Sequence, residues 1–171
     1  MTDHIPVIET DRLILRAPKL ADLPAMMAFY ASPQSHTVGG PRDDLASAMT
    51  LQANIGHWAV HGFGSWHIAD KSDDSWLGRT GFLMFPGWEE PELGWAVVQE
   101  AQGKGIAREA TLAARNYGTR HLGLNAVISY IRPSNTRSIA FAERLGAVLE
   151  KTHDNWRGDA CHIYRHPKEA A

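Results

Sequence analysis

The sequence predicts a single α/β domain (α+β) in which a mixed β-sheet carries helices on its faces, and three observations lead there. The chain has 171 residues, of which 44% are hydrophobic, enough apolar surface for one buried core. Its apolar positions switch between a period of two and a period near 3.6, so strands and helices are interleaved along the chain. The resulting order, βααβββαβαββ, combines hairpins with a strand-helix-strand crossover, which requires antiparallel and parallel neighbours in one sheet. No repeat, low-complexity tract or linker interrupts residues 1–171, read as one unit with its core over about residues 9–166.

The first strand is RLILRAP, where Leu13 and Leu15 alternate with Arg12, Ile14 and Arg16. A helix is expected over about residues 20–31, with Pro24 in the first turn, where a missing N–H costs little. A second helix is expected over about residues 43–60. Leu45, Met49, Gln52/Ala53 and Ile55/Gly56 follow one face, and Gly62 stands just past its end. Strands over about residues 63–70 and 76–84 are joined by KSDDS, the composition of a hairpin turn. After FPGWEEP, residues 92–98 form a fourth strand; after QEAQGKG, residues 106–122 are helical and Gly123 ends them. Residues 125–131 are a fifth strand, and Pro133 precedes a helix over about residues 135–145 that stops at Gly146. Two weaker strands, residues 147–153 and 160–166, finish the chain.

Composition narrows the partners. Charged residues make up 21% of the chain and the formal net charge is -2, so no basic stretch points to nucleic acid or to an anionic membrane surface. The opening MTDHIPVIETDRL carries acids and lacks an apolar h-region, and no later segment approaches the ~18 apolar residues of a membrane span. A cytoplasmic location, with no nucleic-acid and no membrane partner, is the expectation. Cys161 is the only cysteine and has no internal disulfide partner, which suits a reducing compartment. The nine histidines are scattered and no CxxC pair is present, so no metal is assigned.

The segment with chemical content is the strand at 92–98, then Gln102-Gly103-Lys104-Gly105-Ile106-Ala107, then a helix. Small residues let the backbone approach a ligand, and a helix start offers unpaired N–H groups with a partial positive charge, so the loop is an anion cradle. A Walker A loop does not fit, because Gly105 rather than Ser or Thr follows Lys104 and the upstream glycine is missing. A dinucleotide fingerprint does not fit either: Arg108 stands at its third glycine, and the chain does not open on a βαβ unit.

What remains is a Q-x-x-G-x-A pattern that resembles the pyrophosphate loop of GNAT acetyltransferases, and the resemblance runs along most of the chain. ETDRLILR at 9–16, ELGWAV at 92–97, QGKGIAREA at 102–110 and NTRSIAFAERLGA at 135–147 stand in that family's order and spacing. The branch most resembled is that of the ribosomal-protein N-terminal acetyltransferases. The resemblance implies the GNAT fold, a mostly antiparallel mixed sheet in which one parallel strand pair, 92–98 and 125–131, splays apart. It implies acetyl-CoA as co-substrate and an amine as acceptor, with a homodimer as the common assembly. It places the thioester near Trp95, Ala96 and Val97 and the pyrophosphate on the amides of Gly103, Gly105, Ile106 and Ala107, helped by Gln102 and Lys104. Arg108 is either a further phosphate contact or a solvated helix residue, as is Arg137. Asn135 and Ser138 match an N-x-x-S whose side chains lie near the pantetheine arm and thioester.

The implied reaction is direct attack of an amine on the thioester in a ternary complex, with Cys161 given no nucleophilic role. Removing the proton from a lysine of pKa ~10.4 costs about 4–5 kcal/mol at pH 7, against about 1 for an α-amine of pKa near 8. An α-amine therefore asks little of a base, and the acceptor is either a protein N-terminus or a small-molecule amine. Glu92 is assigned that role through water; its alternative is a charged residue fixing the strand mouth. Many members of the family protonate the departing thiolate from a tyrosine. The matching position here is Ala142, which leaves Ser138, a water or Tyr130. Trp88 and His67 are assigned to the acceptor side. Trp88 has packing as its alternative, while Trp58, Trp66 and Trp76 are read as packing and His57 and His61 as helix-end residues. The rival reading is a catalytically silent acetyl-CoA sensor or regulatory module that keeps the cradle without turnover.

Overall fold

The computed structural model describes residues 4–156 and 158–168. Its strands are β1 (Ile8–Glu9), β2 (Leu13–Arg16), β3 (Ser65–Asp70), β4 (Trp76–Leu83), β5 (Glu92–Val97), β6 (Ile128–Ile131), β7 (Val148–Trp156) and β8 (Asp159–Arg165). Its helices are α1 (Leu23–Ala31), α2 (Asp44–His61), α3 (Ile106–His121) and α4 (Thr136–Arg144), with short 3-10 turns at Leu20–Asp22, Pro33–Val38 and Gln99–Ala101. The strand order is β1-β2-β3-β4-β5-β6-β8-β7, mostly antiparallel, with β5 and β6 parallel and bridged at Glu92↔Ile128. The mixed α/β architecture is the one the sequence predicts. The two-residue β1 and the 3-10 turns are additions, too short for a periodic pattern to show. Among the described residues no helix is long and apolar enough to cross a membrane.

Packing divides the chain into two compact units, Met1–Leu83 with Gly94–Ala114, and Met84–Leu93 with Arg115–Ala171. In the first, Met26, Phe29 and Tyr30 of α1 and Leu51 of α2 close on Trp76 and Ala96. Trp66 and Trp58 meet edge to face at 4.7 Å, and the Trp58 indole N–H donates to the Ser65 carbonyl at 3.1 Å. The three tryptophans expected to pack, Trp58, Trp66 and Trp76, are all buried. In the second unit Leu93, Val127, Ile128, Ile131, Ala142, Leu145 and Ile163 form the interior.

One expectation about α2 is corrected. On the apolar face that the sequence marks, Leu45 is 70% exposed and Met49 59%, so it lies outward there, and only Ile55 packs against the core. The helix instead buries Ser47, Leu51, Asn54, His57 and Trp58. Trp58 decides the rotation, because a large side chain that also satisfies its N–H outweighs several flexible aliphatic ones. Leu51→Ala should therefore cost about 2 kcal/mol in urea unfolding, whereas Leu45→Ser should change stability by no more than about 0.5 kcal/mol. Equal effects would return the helix to its predicted rotation.

Candidate functional site

In the first unit, the turn Gln102 to Gly105 feeds α3. Gly103 and Gly105 have φ of 72° and 79°, the left-handed region that an L side chain avoids. A Cβ built at Gly103 would meet nothing within 4 Å, and one at Gly105 only Arg12 Nη2 at 3.4 Å. No protein group crowds these glycines, so their surroundings are open to an incoming ligand. The first helical bond runs from the Glu109 N–H to the Gly105 carbonyl at 3.0 Å, which leaves the preceding amides of the helix start for an outside acceptor. Gly103, Lys104 and Gly105 are exposed, while Ile106 is buried and anchors the turn. Gln102 Nε2 donates to the Val97 carbonyl at 3.3 Å, tying the loop back to the end of β5. On β5 the Gly94 carbonyl accepts from Thr80 Oγ1 at 3.0 Å, Trp95 and Val97 are half-buried, and Ala96 is buried. Arg108 is exposed on the outer face of α3.

Sequence reasoning missed what lies behind this loop. Glu109 accepts from Thr10 Oγ1 at 2.6 Å, from the Arg12 N–H at 3.0 Å and from Arg12 Nε at 2.8 Å. Arg12 Nη1 also donates to the Lys104 carbonyl at 3.0 Å. Burial would raise the Glu109 carboxyl, but the Thr10 and Arg12 bonds hold it below its ordinary value. The partners stand up to 99 positions apart, and no local pattern joins them.

His67 is a correction. The residue assigned to the acceptor side is 0% exposed on β3, and its Nδ1 lies 2.6 Å from Asp22 Oδ2. Asp22 also accepts from both terminal nitrogens of Arg16, at 2.9 and 2.8 Å, and from the Lys19 N–H at 2.9 Å. Burial depresses the His67 pKa and the Asp22 partner offsets only part of that, so the ring is neutral at pH 7 and donates through Nδ1. A ring enclosed in this way is a partner for Asp22, with no face left for a substrate. His57 and His61 stand four residues apart on α2, stacked at 4.3 Å, with His57 Nδ1 2.7 Å from the Phe63 carbonyl at the helix end. Among the described residues no group of three His, Cys, Asp or Glu side chains has the arrangement of a metal site.

In the second unit, Glu92 opens β5 and its Oε2 accepts from the Tyr130 N–H at 3.1 Å. The Tyr130 hydroxyl accepts from the Glu89 N–H at 2.9 Å. Burial raises its pKa, so the phenol is protonated at neutral pH. Trp88 is half-buried and packs 5.1 Å from both Phe85 and Tyr130. Asn135 caps α4, its Oδ1 accepting from the Ser138 N–H at 3.2 Å, and Ser138 is half-buried in the first turn. Ala142 is wholly buried, and its methyl side chain offers no proton donor.

A hydrogen-bond relay also lies in this unit. Ser129 Oγ is 2.6 Å from the Leu93 carbonyl and 2.9 Å from His166 Nε2; His166 Nδ1 faces Arg115 Nη1 at 3.4 Å, which also donates to the Leu145 carbonyl at 2.7 Å. Because the serine proton is spent on Leu93, His166 must donate from Nε2 and leave Nδ1 bare toward the arginine. Burial and the Arg115 charge push this histidine down to about 4.

Residues 12–148 match the family model for an acetyltransferase (GNAT) domain. The uncharacterized N-acetyltransferase p20 of Bacillus licheniformis is 28% identical over 162 residues, 91% of each chain. An acetyltransferase from Agrobacterium tumefaciens, known from its crystal structure, is 34% identical with a TM-score of 0.87, over 96% of this chain and 95% of that one. An acetyltransferase of Salmonella typhimurium that modifies the N-terminal serine of ribosomal protein L7/L12 shares the fold at 18% identity, with a TM-score of 0.81 over 96% of this chain and 100% of that one.

Proposed function

From the premise that this chain belongs to the GNAT acetyltransferase family and is an N-acetyltransferase, we propose that it moves the acetyl group of acetyl-CoA to a protein N-terminal α-amine or a small-molecule amine by direct attack. The observation that carries this is the loop from Gln102 to Ala107. Two exposed glycines in the left-handed region, open space at Gly103 and only the end of Arg12 near Gly105, and a helix start with amides to spare suit a pyrophosphate. Gly103, Gly105, Ile106 and Ala107 would hold it through backbone N–H groups, with Lys104 as an adjacent cation. Bound there, acetyl-CoA supplies an activated acyl group, and what this chain must add is deprotonation of the amine and a proton for the thiolate. Glu92 is assigned the first task through water, and its half-buried carboxylate at a strand start supports that. For the second, Ser138 and Tyr130 are the candidates. Tyr130 is favoured by its place on β6, where its N–H meets Glu92, and by burial, which keeps its hydroxyl protonated at neutral pH.

Melting the protein with and without acetyl-CoA tests the cradle. At a hundred times its Kd the ligand should add about 2.7 kcal/mol, a shift of several degrees, which Gly105→Trp should abolish without unfolding the protein. No shift in the wild type would remove the proposal's foundation. A panel of α-amines and side-chain amines, followed by release of the CoA thiol, then separates an enzyme from a silent sensor. Binding without release with any amine would favour the sensor.

A further inference from the structure

Resting on the reading that the loop before α3 receives the pyrophosphate, we propose that Arg12, Thr10 and Glu109 form a positioning clamp that keeps the cradle's amides aimed outward and free of an internal competitor. Glu109 sits in the first turn of α3, where the first helical bond begins. A carboxylate in that turn opposes anion binding in two ways. Its charge competes for the same positive helix end, and its flexible arm can fold back over unbonded amides as an internal cap.

The structure draws the carboxylate aside. Oε1 takes the Thr10 hydroxyl at 2.6 Å and the Arg12 N–H at 3.0 Å, and Oε2 takes Arg12 Nε at 2.8 Å and Nη2 at 2.7 Å. The guanidinium neutralises the charge while the backbone and hydroxyl bonds fix the direction of the side chain. Nη1, which is not needed for Glu109, donates to the Lys104 carbonyl at 3.0 Å. In a trans peptide the carbonyl and the following N–H point in opposite directions. Holding the Lys104 oxygen toward Arg12 therefore turns the Gly105 N–H the other way, toward the open side of the loop. Lysine at position 12 would keep the charge and lose the fork that makes these contacts together. The side chains are 50% exposed for Arg12 and 20% for Glu109, so substituting either leaves the core intact.

The test measures acetyl-CoA affinity by titration calorimetry, and melting without ligand, for the wild type, Arg12→Ala, Arg12→Lys, Glu109→Ala and the double variant Arg12→Ala/Glu109→Ala. Arg12→Ala should weaken binding about tenfold or more, because it frees an uncompensated carboxylate beside the anion. Arg12→Lys should recover part of the loss, and Glu109→Ala should bind close to wild type. The double variant should recover part of that loss, since the competitor has gone while the Lys104 carbonyl still lacks its Arg12 donor. That recovery is what a direct Arg12-phosphate contact, or a simple loosening of the loop, would not produce. The proposal is overturned if Arg12→Ala binds like wild type or if the double variant is as weak as the single one. Should Arg12→Ala fail to fold, Arg12→Lys with and without Glu109→Gln makes the same comparison. Failure of the wild type to bind acetyl-CoA would instead overturn the cradle reading, and the clamp with it.

Discussion

Asp22→Ala is expected to destabilise the protein by about 3 to 5 kcal/mol, enough to threaten folding at physiological temperature. Asp22 and Arg16 are both buried, and their pairing has two near-parallel bonds, Nη1 to Oδ2 at 2.9 Å and Nη2 to Oδ1 at 2.8 Å. Removing the carboxylate strands three donors together: the guanidinium, the Lys19 N–H and the His67 Nδ1–H. The cost is mainly that of leaving a buried cation uncompensated, and Asp74 does not replace the lost partner, since its side chain is 47% exposed. Asp74→Ala, which removes a solvated partner of Arg16 and Lys19, should cost no more than about 1 kcal/mol. Burial pushes the Asp22 carboxyl up, but the His67, Arg16 and Lys19 bonds hold it far below the ordinary carboxylate value. Its contribution is therefore complete above the unfolded-state pKa and is lost as pH falls below it. Urea unfolding at pH 7 decides the matter. If Asp22→Ala and Asp74→Ala cost the same, the buried pair does not carry the stability assigned to it.

The elements were legible because local chemistry marks both their periods and their ends. Gly62 caps α2 where the sequence places it, and Asp43 and Asn135, the first residues of the two expected helices, are their N-caps. The cradle was legible for a similar reason: two glycines and a helix start are neighbours in sequence, and their φ values follow from the residue type. Pairings between distant segments had no such mark. Arg12 with Glu109 and Ser129 with His166 join positions that share no period, and both depend on which strands lie side by side. His67 shows the same limit in reverse. Its neighbours in sequence suggested a site near a helix end, whereas its neighbour in space is a carboxylate 45 residues earlier. The rotation of α2 was lost because a stripe count weighs Leu45 and Met49 equally with Trp58, while burial depends on volume and on a partner for the indole N–H.

Acidification should weaken the fold through His166, whose stability cost comes to roughly 3 kcal/mol by pH 4. The ring is 1% exposed, and burial, followed by the charge on Arg115, lowers its pKa to about 4. In the unfolded chain it titrates near its ordinary value of 6.5. Above that value neither state binds the proton, and the histidine contributes no pH dependence. Below it the unfolded chain is protonated and the folded chain is not, so stability falls by about 1.4 kcal/mol per pH unit until the folded ring titrates as well. The geometry gives the reason: a second ring proton would have to sit on Nδ1, which points at an arginine N–H 3.4 Å away. Ser129 offers no relief, because its hydroxyl proton is held by the Leu93 carbonyl. His166→Gln removes the titration while keeping a donor for Ser129 and an acceptor for Arg115. Urea unfolding of the two proteins at pH 7.5 and pH 4.5 should show wild type losing about 2 to 3 kcal/mol more than the variant. Equal losses would mean that the folded protein accommodates the imidazolium and that burial beside Arg115 does not hold His166 neutral.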